Sequence, residues 1–407
     1  MSNNREDKYK VLDLFSGCGG MSYGFHSNPK FRIIGAVDRQ SGKPSSGVGT
    51  LECNRSYEKN IGIRPIEADL ATADPADIGH KIGASEVDIL ISCAPCTGFS
   101  KTIRKNLLED DPRNSLVART ADFVEYFRPK ILLMENVGEL LKGAFSSHYE
   151  ELCSRLSGTY QIKSEIHKLS DFGLSQRRVR ALVVAVRNDV GMPKNLSDLW
   201  KGLHVHPAAT TVRRAIGHMP PINAGEQCSS DDQHIAPKNS ALGLRRLQQT
   251  PVNGGDWTSW VESSDADELL IPSMKRQIAK GRVGPYRDVY GRLWWDRSAI
   301  TLKRECSHTG NGRYAHPEEN RLCSVREMAL LQGFPSDYVF VANNLSNRYR
   351  HIGDSVPPII SYQLSKLCEW IILGERPSKE SIVLPKTSLK VSDILYDEVE
   401  QAELRLD

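Results

Sequence analysis

With 407 residues, 39% of them hydrophobic and 25% charged, the chain has the composition of a soluble globular protein of one large domain or two smaller ones. The polar start MSNNREDKYK lacks the apolar core of a signal peptide, no apolar run is long enough to span a bilayer, and nine cysteines, an odd number, argue against a disulfide framework. A net charge of +3 permits nucleic-acid binding only through a local basic surface.

The first half alternates strands and helices. KVLDLF (10–15), FRIIGAVD (31–38), IRPIEADL (63–70), EVDILISCAP (86–95), KILLMENV (130–137), QIKSEIHKL (161–169) and RALVVAVRN (180–188) read as strands. VDILIS and KILLM are apolar enough for a parallel sheet buried on both faces. SLVARTADFVEYF (115–127) and HYEELCSRLSG (148–158) are helical, and QSGKPSSGVG (40–49) is a polar loop. This rhythm predicts an α/β fold, a doubly wound sheet with its ligand site at the C-terminal strand ends. From about residue 190 the rhythm stops. Residues 191–320 are richer in Pro, Gly, Trp and charge and predict a smaller, irregular domain. Helical periodicity returns at SVREMALLQGF (324–334) and PPIISYQLSKLCEWIILG (357–374), and 375–407 is a polar tail. The domains expected are 1–190 with 321–407, and 191–320.

Phe15-Ser16-Gly17-Cys18-Gly19-Gly20 lies between a strand and a helix, where glycines let the backbone approach a ligand. Asp38 ends the next strand, where an acid can accept ribose hydroxyls, and Asp69 ends the third, within reach of an adenine amino group. The pattern is that of a nucleoside cofactor site, although the spacing departs from the GxGxxG of NAD enzymes.

Cys96, in SCAPCTGFS (92–100), follows a buried strand. Three readings stay open on the residues alone: a buried structural thiol, a redox CxxC with Cys93, or a covalent nucleophile. No second CxxC pair completes a zinc site, so no metal is expected. KTIRKNLLEDDPRN (101–114) is charged and reads either as a loop closing over a polyanion or as a solvated surface loop.

Six ordered motifs settle the choice. DLFSGCGG (13–20), APCTGFS (94–100), MENV (134–137), QRRVR (176–180), RLCSVREMALLQGFP (321–335) and IGDSVPP (352–358) resemble those of the cytosine-5 DNA methyltransferases of bacterial restriction-modification type, along residues 9–374. The resemblance implies a Rossmann-like methyltransferase sheet binding S-adenosyl-L-methionine and releasing S-adenosyl-L-homocysteine. Phe15 would stack on adenine, Ser16 to Met21 would line the methionine part, and Asp38 with Arg39 and Asp69 with Leu70 would hold the ribose and adenine sides. Pro95, Asp354, Ser355 and Val356 would complete the pocket. Cys96 would be the nucleophile and Glu135 the acid at N3. Arg178 and Arg180 complete the catalytic set, with Arg180 preferred at O2. Residues 191–320 would read double-stranded DNA in the major groove. A cytoplasmic, nucleoid-associated monomer with a cognate restriction endonuclease is the family expectation. Four positions depart from the family pattern: Asp354 stands where Asn is usual, Thr97 for Gln, Ser175 for Pro and Asp38 for Glu. A tRNA cytosine-5 methyltransferase, a catalytically silent DNA-binding protein and an NAD oxidoreductase are the rival readings.

Such a reaction needs a thiolate. Cytosine C5 becomes nucleophilic only when C6 carries an adduct, and the adding group must also be able to leave. Charge developing at N3 and O2 calls for a carboxyl group and a cation. The target atoms lie inside the duplex, so the base must be flipped out. The basic and aromatic stretch Arg282, Arg287, Arg292, Trp294 and Trp295 is a candidate DNA-reading surface, or else a seam between the two lobes.

Overall fold

In the computed structural model, which describes residues 8–41, 49–95, 99, 110–192, 204–282 and 286–395, the apolar runs of the first half form one six-stranded sheet. Its strands are β1 (Tyr9–Leu14), β2 (Phe31–Val37), β3 (Ile89–Ser92), β4 (Ile131–Asn136), β5 (Tyr160–Lys168) and β6 (Val179–Arg187), in spatial order β2-β1-β3-β4-β6-β5. β1 to β4 are parallel, whereas β6 runs antiparallel to both β4 and β5. The sheet is therefore mixed. The link from β5 to β6 is too short for the crossover that a parallel pair would need.

β3 and β4 are buried along their whole length because helices cover both faces. On one face α3 (Pro75–Ile82), α4 (Ser115–Phe127) and α6 (Ser147–Leu156) pack through Ile78, Val117 and Leu152 on Leu12, Leu90 and Leu132. On the other, α1 (Gly20–His26) and α13 (Pro358–Leu373) bring Phe25, Ile360 and Leu364 onto Val11, Ile89 and Leu133. α2 (Cys53–Ile61) and the short α5 (Glu139–Lys142) complete this half. β1 lies one strand in from the edge, with β2 on one side and β3 on the other. This places a topological switch point, and the crevice it opens, at the ends of β1 and β3.

Residues 63–70, expected as a third strand, are not one. Ile66 alone bridges to Val37, its N–H on the Ala36 carbonyl and its own carbonyl taking the Asp38 N–H. Pro65 beside it has no N–H to continue a ladder. Asp69 therefore begins a turn, its carbonyl accepting from Thr72 and Ala73, instead of ending a strand.

Between residues 204 and 320 the elements are short: β7 (His204–Val205), α7 (Val212–Ile216), β8 (Gln227–Cys228), β9 (Asp231–Ile235), α8 (Ala241–Gln248), α9 (Ala266–Leu269) and α10 (Pro272–Ala279). Trp257, Trp260, Leu269, Leu270 and Met274 form a small core there. Val212, Leu293, Trp295 and Leu302 instead join the core of α11 (Val325–Leu331) and α12 (Leu345–Asp354). β10 (Ile394–Leu395) pairs with β7. Most of the loop expected at 40–49 and of the charged stretch at 101–114 lies outside the described residues. Among the described residues no helix is long and apolar enough to cross a membrane, and no group of three His, Cys, Asp or Glu side chains could hold a metal ion.

Candidate active site

The crevice is lined first by the turn after β1. Phe15 takes φ +60 and Gly19, capping α1, φ +98. This turn is held by Asp38, whose carboxylate accepts the Gly17 N–H at 2.9 Å and the Gln40 N–H at 2.6 Å. Arg39 reaches over to pair with Asp69 at 2.7 Å. Met21 and Leu70 are buried, and Phe15 is partly buried against the core below. The turn after α12 closes the crevice from the far end of the chain. A Cβ on Gly20 would stand 2.3 Å from the Val356 carbonyl, so the start of α1 and this turn touch backbone to backbone. Cys18 Sγ lies 3.0 Å from Ser355 Oγ. Burial pushes the Cys18 thiol up to about 12, which removes it as a nucleophile.

The Ser16 hydroxyl is buried in this turn without a hydrogen-bond partner. A buried polar group left open calls for a ligand or water. The site thus combines an open hydroxyl, a glycine turn, an acid just past the end of β2 and a second acid at the turn beside it, which suits the polar parts of a nucleoside cofactor.

Cys96 and Thr97 lie outside the described residues, but their approach is fixed. β3 ends at Ser92, and the Ala94 carbonyl accepts the Asn136 side-chain amide at 3.1 Å. Pro95 is half-buried. Cys93 is partly buried and its thiol is raised well above the usual range by desolvation and by the nearby Glu135 and Asp13 carboxylates, so it is not a thiolate at neutral pH. Glu135 sits beside Asn136 on β4, opposite Leu182 of β6. Arg180, two residues along β6 and on the same face, brings its Nε to 2.9 Å from Glu135 Oε1, while Arg178 Nε stands 3.9 Å away. Glu135 is only 7% exposed, yet its Oε1 and the Arg180 Nε lack an aligned hydrogen bond. A buried carboxylate in ionic contact but open to further hydrogen bonding is equipped to meet a substrate.

Arg178 turns elsewhere. Its guanidinium donates to the carbonyls of Leu302 and Ser355, each at 3.3 Å. Gln332 donates to the same Ser355 carbonyl at 2.7 Å and accepts from Gln176, which in turn takes the Leu302 N–H at 2.9 Å. Gln176 and Gln332 were not among the candidate site residues, although both lie in the quoted motifs. They position the turn that Ser355 begins.

Comparison with known proteins shows the family. The pattern of the C-5 cytosine-specific DNA methylases matches residues 9–370. The chain belongs to that family. It is 29% identical over 370 residues to the Type II methylase M.HgiDII of Herpetosiphon aurantiacus, covering 89% of this chain and 96% of that one. It is 30% identical over 361 residues to the Type II methyltransferase M1.HphI of Haemophilus parahaemolyticus, covering 87% and 85%. A crystal structure of an Escherichia coli DNA modification methyltransferase encoded within a prophage superposes with a TM-score of 0.63 at 23% identity, over 90% of this chain and all of that one. The enzyme class, DNA (cytosine-5-)-methyltransferase, follows from the family.

Within this methyltransferase the basic and aromatic stretch divides. Arg282 and Arg287 are exposed, Arg287 standing 3.4 Å from Asp256. Arg292 is not a surface residue: it is buried and donates to the carbonyls of Leu247, Thr250, His316 and Glu319. Trp295 is buried, its indole N–H on Glu318 at 2.7 Å, and Trp294 stacks between Arg297 and Arg313. Arg292 is thus an internal residue of the 191–320 region, whereas Trp295 packs in the core shared with α11 and α12. Asp354 is paired with Arg304 at 2.6 Å.

Proposed function

We propose that this enzyme uses S-adenosyl-L-methionine to methylate C5 of a flipped-out cytosine in a specific duplex DNA sequence through a covalent Cys96 adduct, within a bacterial restriction-modification system. The observation that carries the reading is the Glu135 oxygen, buried beside Arg180 and open to a further hydrogen bond, next to the strand end that leads into Cys96. Phe15 to Met21, Asp38, Arg39, Asp69, Leu70, Pro95 and Asp354 to Val356 are assigned to the cofactor, which when bound supplies an electrophilic methyl group. The Cys96 thiolate adds to C6. Glu135 protonates or hydrogen-bonds N3, and Arg180 faces the charge at O2. C5 would then take the methyl group, the cofactor's sulfur keeping the electrons of the broken bond, and release of the C5 proton to solvent re-forms the C5–C6 double bond as the thiolate leaves. Arg178, held to two backbone carbonyls, orients the pocket beside Arg180. Residues 191–320 are assigned to target recognition, with the exposed Arg282 and Arg287 as groove contacts. The protein is assigned as a monomer acting at the nucleoid, beside a cognate endonuclease.

The test is methyl transfer from tritiated S-adenosylmethionine to mixed-sequence duplex DNA and, separately, to bulk tRNA, with Cys96→Ser in parallel. Label in DNA from the wild type alone supports the proposal, and mapping the sites gives the target. Label in tRNA alone replaces it with RNA methylation, and no label in either with cofactor bound points to a silent DNA-binding protein.

A further inference from the structure

The end of α12 rests directly on an extended segment of the irregular region. A Cβ on Gly353 would lie 2.2 Å from the Lys303 carbonyl. From this segment Arg304 spans two walls of the crevice. One amino group pairs with Asp354 at 2.6 Å, and the other donates to the Ser41 carbonyl at 3.0 Å. Ser41 follows Asp38, which holds Gly17; Asp354 precedes Ser355, which touches Cys18. Both ends of the bridge therefore adjoin residues that contact the glycine turn. The same segment borders the catalytic strand, since Leu302 bonds Gln176 and Arg178 and Thr301 Oγ1 donates to the Arg177 carbonyl.

The bridge lies at the rim of the crevice, with the Arg304 side chain 19% and the Asp354 side chain 33% exposed, and further charges surround it. Asp354 faces Arg304 and Glu305 from this segment, Arg178 from just before β6 and Asp38 from the end of β2, with the Cys18, Cys53 and Cys306 thiols also near. Arg304 is the principal cation opposing the Asp354 carboxylate. Without it two carboxylates, Asp38 and Asp354, would share the crevice with Arg178, which is already committed to two carbonyls.

We propose that Arg304 is a positioning residue of the cofactor pocket, a clamp that fixes the turn after α12 to the segment leaving β2 through Asp354 and the Ser41 carbonyl. This rests on the assignment of the crevice to the cofactor. The clamp is strongest when Asp354 is ionised. A third of the Asp354 side chain reaches solvent, yet the protein crowded around the carboxyl raises it to about 6, with Arg304 and Arg178 pulling it down and Asp38 and Glu305 adding to the rise. Cofactor affinity should therefore weaken as pH falls through about 6.

Calorimetric binding of S-adenosylhomocysteine at about pH 7.5 and about pH 5.5 tests the clamp in the full chain. Arg304→Met should weaken binding about tenfold at the higher pH, the loss expected for a charge-assisted hydrogen bond, with ligand-free melting close to wild type. Asp354→Asn keeps an acceptor for Arg304 but carries no titrating charge, so whatever its affinity at the higher pH, that affinity should no longer change between the two pH values. An Arg304→Met protein that binds like wild type, or an Asp354→Asn protein with the wild-type pH slope, overturns the clamp. If Arg304→Met does not fold, the Asp354→Asn slope decides. Absence of binding by the wild type overturns the pocket assignment and the clamp together, whereas binding with unaltered variants overturns the clamp alone.

Discussion

Arg180 Nε stands 2.9 Å from Glu135 Oε1 across the β4–β6 ladder, and both groups are nearly buried. Two charges withdrawn from water in this way are stable only as a pair. Glu135→Gln keeps the shape and removes the charge and the proton-carrying role. It should lower single-turnover methyl transfer by a factor of roughly 10²–10⁴ while leaving cofactor binding in place. Equal rates for Glu135→Gln and wild type would remove Glu135 from the chemistry. Arg180→Met should lose activity too, and should also destabilise the fold, since Glu135 would then be left buried opposite an uncharged side chain.

The contact between α1 and α13 depends on a missing side chain. A Cβ at Gly24 would fall 2.2 Å from both the Ser361 carbonyl carbon and the Tyr362 nitrogen, and the Gly24 N–H bonds the Ser361 hydroxyl at 3.1 Å. Backbone cannot yield as a flexible side chain does. Gly24→Ala should therefore cost about 1–3 kcal/mol in chemical denaturation and weaken cofactor binding, because α1 starts at the glycine turn. A variant as stable as wild type would mean that the two helices can separate freely.

Much of this was legible in the sequence because the signals were local. The buried strands announce themselves as apolar runs, and α4 begins and ends where its periodicity does. What failed was what depends on distant partners. Residues 63–70 alternate like a strand, but Pro65 limits the pairing to Ile66. The turn of β6 against β4 is set by a short connection and leaves little trace in the apolar pattern. Arg292 looks like a DNA contact because charge is visible in a sequence and burial is not; its four carbonyl partners come from residues 247 to 319. Arg304 has no surrounding pattern to mark it. Its role follows from meeting Asp354 and Ser41, which are remote in sequence.

Asp13 gives the fold a pH dependence of definite sign. It is buried within β1, Oδ2 accepting from the Ser22 hydroxyl at 2.6 Å and Oδ1 without a partner. Burial raises the carboxyl to about 7, Ser22 pulling it back and Asp38 adding to the rise. Between the unfolded value of about 4 and that point the folded protein holds a proton that the unfolded chain releases. Stability should thus fall as pH rises through this window. Thermal melts across it should show a shallower decline for Asp13→Asn than for wild type. Parallel curves would mean that Asp13 is already ionised in the fold.

The penultimate motif, RLCSVREMALLQGFP, owes its chemistry to support. Arg321 and Glu327 are both buried and meet through two contacts, 2.6 and 2.8 Å, while Glu327 also caps α11 with Ser324. The Arg321 hydrogen bonds and charge, aided by His316 and Ser324, overcome the desolvation of Glu327 and hold its carboxyl down at about 2. A depressed carboxylate adds stability that is complete above its unfolded value and is lost as pH falls toward the folded one. Removing one partner strands the other charge. Arg321→Met should therefore destabilise the protein by about 3–5 kcal/mol in denaturant titrations, whereas replacing both residues with apolar ones of similar volume should recover much of the loss. If the single variant were as stable as wild type, the pair would be dispensable, and the motif would need a role at the DNA or cofactor surface that its burial argues against.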